Sequence, residues 1–207
     1  MNYTELGDRG CYVFGSDPGP ESSALALVYV KAGVPRLLID ALYAENRVLA
    51  GWRDPLNYFE QRHHGLLLAT TPKFFCYESC GPQGKFVDGG TFETAAMGGE
   101  LRRLFRGHVD ATYAFDPSDW RHILTGRGNA GTRPIYEAAC ALFGSGEGGG
   151  ADKYKGTKKQ PGQLARLHAA GAGGNMEHMK DALGVALALT RCQFRRGEPP
   201  ERYRRPW

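Results

Sequence analysis

The 207-residue sequence predicts an α/β fold in which a mixed central sheet, with a three-stranded antiparallel meander, is flanked by helices. Three observations carry that reading. Three β-rich runs separated by turn signals come first, strands then alternate with helical spacing, and the last long segment is a helix with an almost wholly apolar body.

"CYVFGS" is the first strand and stops at Asp17-Pro18-Gly19-Pro20, a strong turn signal. "SALALVYV" and "RLLIDALY" are the second and third, joined by the Gly33-Val34-Pro35 turn, and complete the meander. "DPLNYFEQRHHGLLLA" has the apolar face of a helix, and "KFFCYES" is the next strand, ending at Glu78. "TFETAAMGGELRRLFRG" spaces Phe92, Ala96, Leu101 and Leu104 as a helix does, although Gly98-Gly99 weakens it. "VDATYAFD" is a further strand closed by Pro117, and "TRPIYEAACALFG" a helix stopped by Gly144. Residues 144–174, rich in glycine and lysine, read as a flexible basic loop with one short helical piece at "QLARLHAA". "NMEHMKDALGVALALTR" is the final helix. A meander that follows an Asp-bearing first strand points to an RNase H-like architecture. The expected organisation is an N-terminal extension over 1–10, a single domain over 11–194 and an arginine-rich tail over 195–207.

Composition narrows the class. A hydrophobic content of 42% argues against general disorder, and no apolar run approaches the about 18 residues of a membrane span. "MNYTELGDRG" has no apolar stretch of the kind a secretory signal needs. Five cysteines without repeated close spacing make no disulfide framework, so a reducing cytoplasm is the expected location. The net charge of +4 is local: residues 191–207 carry six arginines against Glu198 and Glu201, leaving 20 Lys and Arg against 20 Asp and Glu elsewhere. "DKYKGTKKQ" is a second basic patch, with Lys153, Lys155, Lys158 and Lys159. Such patches are ordinary solvated surface, or they meet phosphates and release counterions.

Asp17 and Glu78 each close a predicted strand. If those strands are parallel neighbours, both acids stand at the carboxyl edge, where α/β sheets commonly bind ligands. His178 and Asp181, three residues apart, project from one face of the final helix's first turn and can join them. Gathering such acids is costly without cations. Oxygen donors with one imidazole suit Mg²⁺ or Mn²⁺ better than zinc, and two such ions about 4 Å apart can drive phosphodiester hydrolysis. Each residue also has a plain reading: Asp17 as a turn former, Glu78 as a strand end, and Glu177, His178 and Asp181 as an acidic helix start. Glu177 is an alternative ligand to His178.

"FGSDPGPESSALALV", "FFCYES" and "HMKDALGVALAL" together resemble the three motif blocks of RuvC-type Holliday-junction resolvases, within the RNase H-like nucleases. The resemblance spans most of residues 11–192. It implies a homodimer that nicks two strands of a four-way DNA junction with Mg²⁺ or Mn²⁺, using Asp17, Glu78, His178 and Asp181. "PSDWRHILTGRGNAGT" resembles the family's DNA-facing segment, which implies DNA contacts at Arg121 and Arg127, with Arg133 just beyond. The family carries an aromatic residue soon after the second acid. Here Ser79-Cys80-Gly81-Pro82 intervenes, and Lys85 and Phe86 follow only after an apparent insertion. A divergent form of the kind phages carry fits best, acting in the host bacterial cytoplasm.

Other constellations are weaker. Cys76 and Cys80 flank Glu78, and His63-His64 lie upstream, but zinc needs a fuller set of ligands. Trp52, Trp120 and Trp207 can stack on bases, though Trp52 and Trp120 are more often core or surface-packing residues. An actin-like phosphotransferase shares the meander but needs two related domains. A non-catalytic branched-DNA-binding module of the same fold, or an enzyme that cleaves RNA, completes the alternatives.

Overall fold

A computed structural model describes residues 10–45, 70–80, 89–144, 176–195 and 203–205. Numbered in chain order, the described elements are β1 (Cys11–Pro18), β2 (Ser22–Lys31), β3 (Val34–Glu45), β4 (Lys73–Glu78), α1 (Gly89–Phe105), β5 (Ala111–Phe115), α2 (Pro117–Thr125), α3 (Thr132–Gly144), α4 (Met176–Arg195) and β6 (Arg204–Arg205). The sheet order is β3-β2-β1-β4-β5-β6. β1, β2 and β3 form the antiparallel meander, β4 and β5 extend it in parallel from β1, and β6 closes the far edge antiparallel to β5. This is the predicted α/β architecture. The helix over 54–69, the basic loop and its short helical piece lie outside the described residues.

Strand alternation sorts the side chains into two cores. On one face Val13, Ala24, Ala26, Val28, Phe74, Cys76, Tyr113 and Phe115 meet α2, α3 and α4. On the other, Phe14, Leu25, Leu27 and Phe75 meet Leu101 and Phe105 of α1. There the Phe75 and Phe105 rings stack with centroids 4.3 Å apart. Helices on both faces explain why β1 and β2 are apolar on both sides rather than alternating. α4 crosses β1, β2, β3 and β4 and also packs on α2 and α3. Every residue from Asp181 to Thr190 is buried, so the amphipathic pattern disappears after the first turn.

The helix expected across Gly98-Gly99 is present, and two features depart from the sequence reading. α1 continues through these glycines, where a Cβ at Gly98 would come within 3.1 Å of the Tyr77 ring. Close packing thus compensates glycine's low helix propensity. Pro117 does not merely end a strand. It opens α2, where the missing N–H costs nothing, and Gly126 at φ 83° ends that helix. Part of the arginine tail is β6, anchored by the buried Tyr203, whose ring lies 4.4 Å from that of Phe115.

Candidate active site

Strand register brings the first two acids together. β1 and β4 are parallel, paired as Phe14↔Phe75, Gly15↔Cys76 and Ser16↔Tyr77. One step further along are Asp17 and Glu78. Val13 and Cys76 face the α4 side, so the period of two sends Asp17 and Glu78 to that side as well. The third contribution comes from α4, and Gly15 lets it approach. A Cβ there would lie 2.2 Å from the Ala182 carbonyl oxygen and 2.8 Å from the Ala186 Cβ. With no side chain at Gly15, the first turn of α4 rests against the end of β1.

Asp17 Oδ2 is 2.8 Å from His178 Nδ1. An ionised carboxylate can only accept, so Nδ1 carries the proton and Nε2 is left as the acceptor of the neutral ring. The Tyr43 ring stacks against His178 at 6.0 Å, and its hydroxyl lies 2.6 Å from Ser22 Oγ. Glu78 Oε2 accepts a 2.7 Å hydrogen bond from Trp120 Nε1. Asp181 Oδ2 accepts one of 3.1 Å from the Arg121 guanidinium, with side chains 10% and 28% exposed respectively. Asp181 Oδ1 and Arg121 Nε are buried with no hydrogen-bond partner.

The electrostatics record the crowding. Glu78 is pushed up from 4.5 to about 7, first by burial and then by the Asp17 charge, while the Trp120 hydrogen bond opposes the rise. Asp181 is pushed up from 3.8 to about 6 by burial and by Asp17, with Arg121 opposing. His178 is raised above its ordinary value, chiefly by the hydrogen bond to Asp17, with burial opposing. Both carboxyls thus keep their protons to a higher pH than an exposed acid does.

Asp17, Glu78, His178 and Asp181 therefore lie at one edge of the sheet. Among the described residues no three His, Cys, Asp or Glu side chains form a ready-made cluster around one ion. The acids are instead engaged by His178, Trp120 and Arg121. Their chemistry fits a divalent cation all the same, because Asp181 Oδ1 is an oxygen donor buried without a partner. Glu177 is exposed and accepts from Thr132 Oγ1 at 3.4 Å, and its charge still contributes to raising His178 and Asp181.

Arg121, expected at the DNA surface, turns inward to Asp181. Arg133 is exposed and paired with Glu137 at 2.9 Å, and Arg127 is exposed. Lys85, Phe86, Lys153, Lys155, Lys158 and Lys159 lie outside the described residues, as do Trp52, Trp207 and His63-His64. Cys76 is a core residue whose thiol donates to the Phe14 carbonyl, and burial pushes its ionisation well up. That is the chemistry of packing, not of a zinc thiolate. Sequence reading missed Trp120 as a partner of Glu78. The available signal was its place in the first turns of a helix beginning right after β5, the strand beside Glu78. No helix that could cross a membrane is present among the described residues.

No protein-family model matches this chain, and no curated protein matches it. Solved structures do. One described as a Thermus thermophilus RuvC structure aligns with a TM-score of 0.54 at 19% identity, covering 87% of this chain and 93% of that one. Another, T. thermophilus RuvC in complex with a Holliday junction substrate, aligns with a TM-score of 0.56 at 18% identity, covering 89% and 96%. Identity this low speaks for the fold. The chain has a RuvC-like, RNase H-like fold.

Proposed function

We propose that this chain is a divalent-metal-dependent endodeoxyribonuclease that nicks branched DNA, four-way junctions foremost. The observation that carries the reading is the convergence of Asp17, Glu78, His178 and Asp181 at the end of β1 and β4, with two acids raised towards neutrality. Asp17, Glu78 and Asp181 would hold Mg²⁺ or Mn²⁺, with His178 as a further ligand or as the group that orients the attacking water. When bound, such ions supply the positive charge that a phosphodiester needs during hydrolysis. Asp17 fixes the tautomer and the plane of His178, and Tyr43 limits its rotation. Arg121, opposite Asp181, offsets part of that acid's charge.

The substrate class rests on the fold and on charge. One structure similar to this chain is described as bound to a Holliday junction substrate. A homodimer would present two such sites to one junction. Phosphate contacts are assigned to Arg127, Arg133, the 153–159 lysines and the segment carrying Lys85 and Phe86, with Arg121 reaching the backbone only if it leaves Asp181. A single domain over 11–194 is part of the same reading.

The test uses labelled four-way junction, linear duplex, flap and RNA–DNA hybrid, each with Mg²⁺, Mn²⁺ or EDTA. Junction cutting that needs metal and disappears in Asp17→Asn and Glu78→Gln is the expected result, with junction binding retained by both variants. Equal cutting of linear duplex removes junction selectivity, and preferential cutting of the hybrid moves the substrate to RNA. Cutting unaffected by EDTA overturns the metal-dependent mechanism.

A further inference from the structure

Glu78 ends a strand, and a carboxylate in that position normally turns freely towards solvent. Here it is held at two points by α2. Its chain neighbour Ser79 donates its backbone N–H to the Phe115 carbonyl at 2.8 Å, and its hydroxyl donates to Asp116 Oδ1 at 2.6 Å. Asp116 is the N-cap of α2. Four residues along that helix, the Trp120 indole N–H donates to Glu78 Oε2 at 2.7 Å. The end of β4 is therefore tied to β5 and to the cap of α2, and the Glu78 side chain to that same helix.

Trp120 itself is immobilised. It has no exposed surface. A Cβ at Gly184 would come within 2.5 Å of Trp120 Cζ3, so only glycine at that point of α4 admits the ring. The Arg121 guanidinium stands 5.0 Å from the ring centroid while reaching Asp181. Two consecutive residues of α2 thus engage two acids from different elements. An indole N–H is a donor only, so it can satisfy a carboxylate oxygen but cannot compete with it for a cation.

We propose that Trp120 is a positioning residue for Glu78, locking Oε2 in one direction so that the remaining lone pairs of the carboxylate face the ground shared with Asp17 and Asp181. The inference rests on the metal-site reading given above. A buried tryptophan could instead serve only to fill the core between β5 and α4, and the experiment separates the two roles.

Trp120→Phe removes the N–H and keeps an aromatic ring. Replacing Trp120 by benzothienylalanine, with sulfur in place of N–H, keeps the full bicyclic shape and guards against a packing artefact. Mn²⁺ binding to the DNA-free protein is measured by the resonance signal of free Mn²⁺, in the wild-type and in Glu78→Gln backgrounds. Groups that orient a ligand typically account for 10- to 100-fold in metal affinity. Both replacements should weaken Mn²⁺ binding about tenfold when Glu78 is present, and by less than about twofold when Gln stands there. In cleavage assays the metal concentration for half-maximal rate should rise, while the rate at saturating metal largely recovers.

Equal weakening in both backgrounds, or unchanged affinity with the sulfur analogue, would overturn the positioning role and leave Trp120 as packing. A wild-type protein that binds no Mn²⁺ overturns the metal-site reading itself. That outcome differs from a wild-type protein that binds Mn²⁺ with an affinity the Trp120 variants share.

Discussion

Replacing Glu78 by Gln should stabilise the metal-free protein, and only above mildly acid pH. In the folded chain the Glu78 carboxyl is pushed from 4.5 to about 7. A folded value above the unfolded one means that the native state holds the proton longer. The benefit of the neutral carboxyl is fully present below about 4.5, and it is lost as pH rises through about 7. Each unit is worth about 1.36 kcal/mol, so ionising this side chain in place costs roughly 3 kcal/mol near pH 8. Glutamine keeps an oxygen for Trp120 and never ionises. Glu78→Gln should therefore gain about 2–3 kcal/mol over wild type near pH 8 and less than about 1 kcal/mol near pH 5. For a domain of this size that corresponds to roughly 5–10 °C in Tm at the higher pH. The assay is a pair of thermal melts in EDTA at each pH. A Tm difference of the same size at both values, or none near pH 8, would refute the argument that burial, with the neighbouring Asp17 charge, penalises an ionised Glu78. Saturating Mn²⁺ should raise the wild-type Tm near pH 8 and leave the variant less changed.

Gly15→Ala should cost about 3 kcal/mol or more, because the new Cβ would meet the Ala182 carbonyl at 2.2 Å, and a helix backbone cannot step aside as a side chain can. A urea midpoint that does not fall would contradict the close contact. Tyr203→Ala should cost about 3 kcal/mol by emptying the space against Phe115. It should also speed amide exchange at Thr112 and Tyr113, which face β6; unchanged exchange there would mean that β6 does not depend on its anchor. The Asp17 hydrogen bond raises His178 in the metal-free protein and bound cations would oppose that rise, so cleavage should fall as pH drops through the histidine range. His178→Asp should move that limb lower, while His178→Ala should lose most activity. Normal cutting by the alanine variant with an unchanged pH profile would reduce His178 to a helix-start residue.

Much of this was legible in the sequence because strand period and turn residues are local signals. Asp17-Pro18-Gly19-Pro20 marked the end of β1, Gly33 the β2–β3 turn, and the run to Glu78 the end of β4. The pairing of His178 with Asp181 on one helical face followed from spacing alone. What escaped were interactions set by tertiary approach. The place of Trp120 just after β5 puts it near Glu78, but only the packing of α2 shows that its N–H meets that acid, 42 residues earlier. Arg121 read as a surface cation because its pairing with Asp181 depends on how α2 crosses α4. Likewise, Arg204-Arg205 read as a charged tail because a two-residue strand has no periodicity, and only its pairing with Thr112 and Tyr113 defines it.

The position of α4 also bears on how the chain folds. Residues 11–45 can form the meander from local contacts early, but one face of it keeps Val13, Ala24, Ala26 and Val28 uncovered until residues 176–195 arrive. Pairings so distant in sequence close slowly and leave apolar sheet surface open to aggregation meanwhile. A truncation before Met176 should therefore yield insoluble protein rather than a weakened one. The same helix delivers His178 and Asp181, so closure of the core and completion of the acidic edge are a single event. A partly folded chain then carries Asp17 and Glu78 without their counterparts, and under the proposed function it cannot cut DNA before it has finished folding.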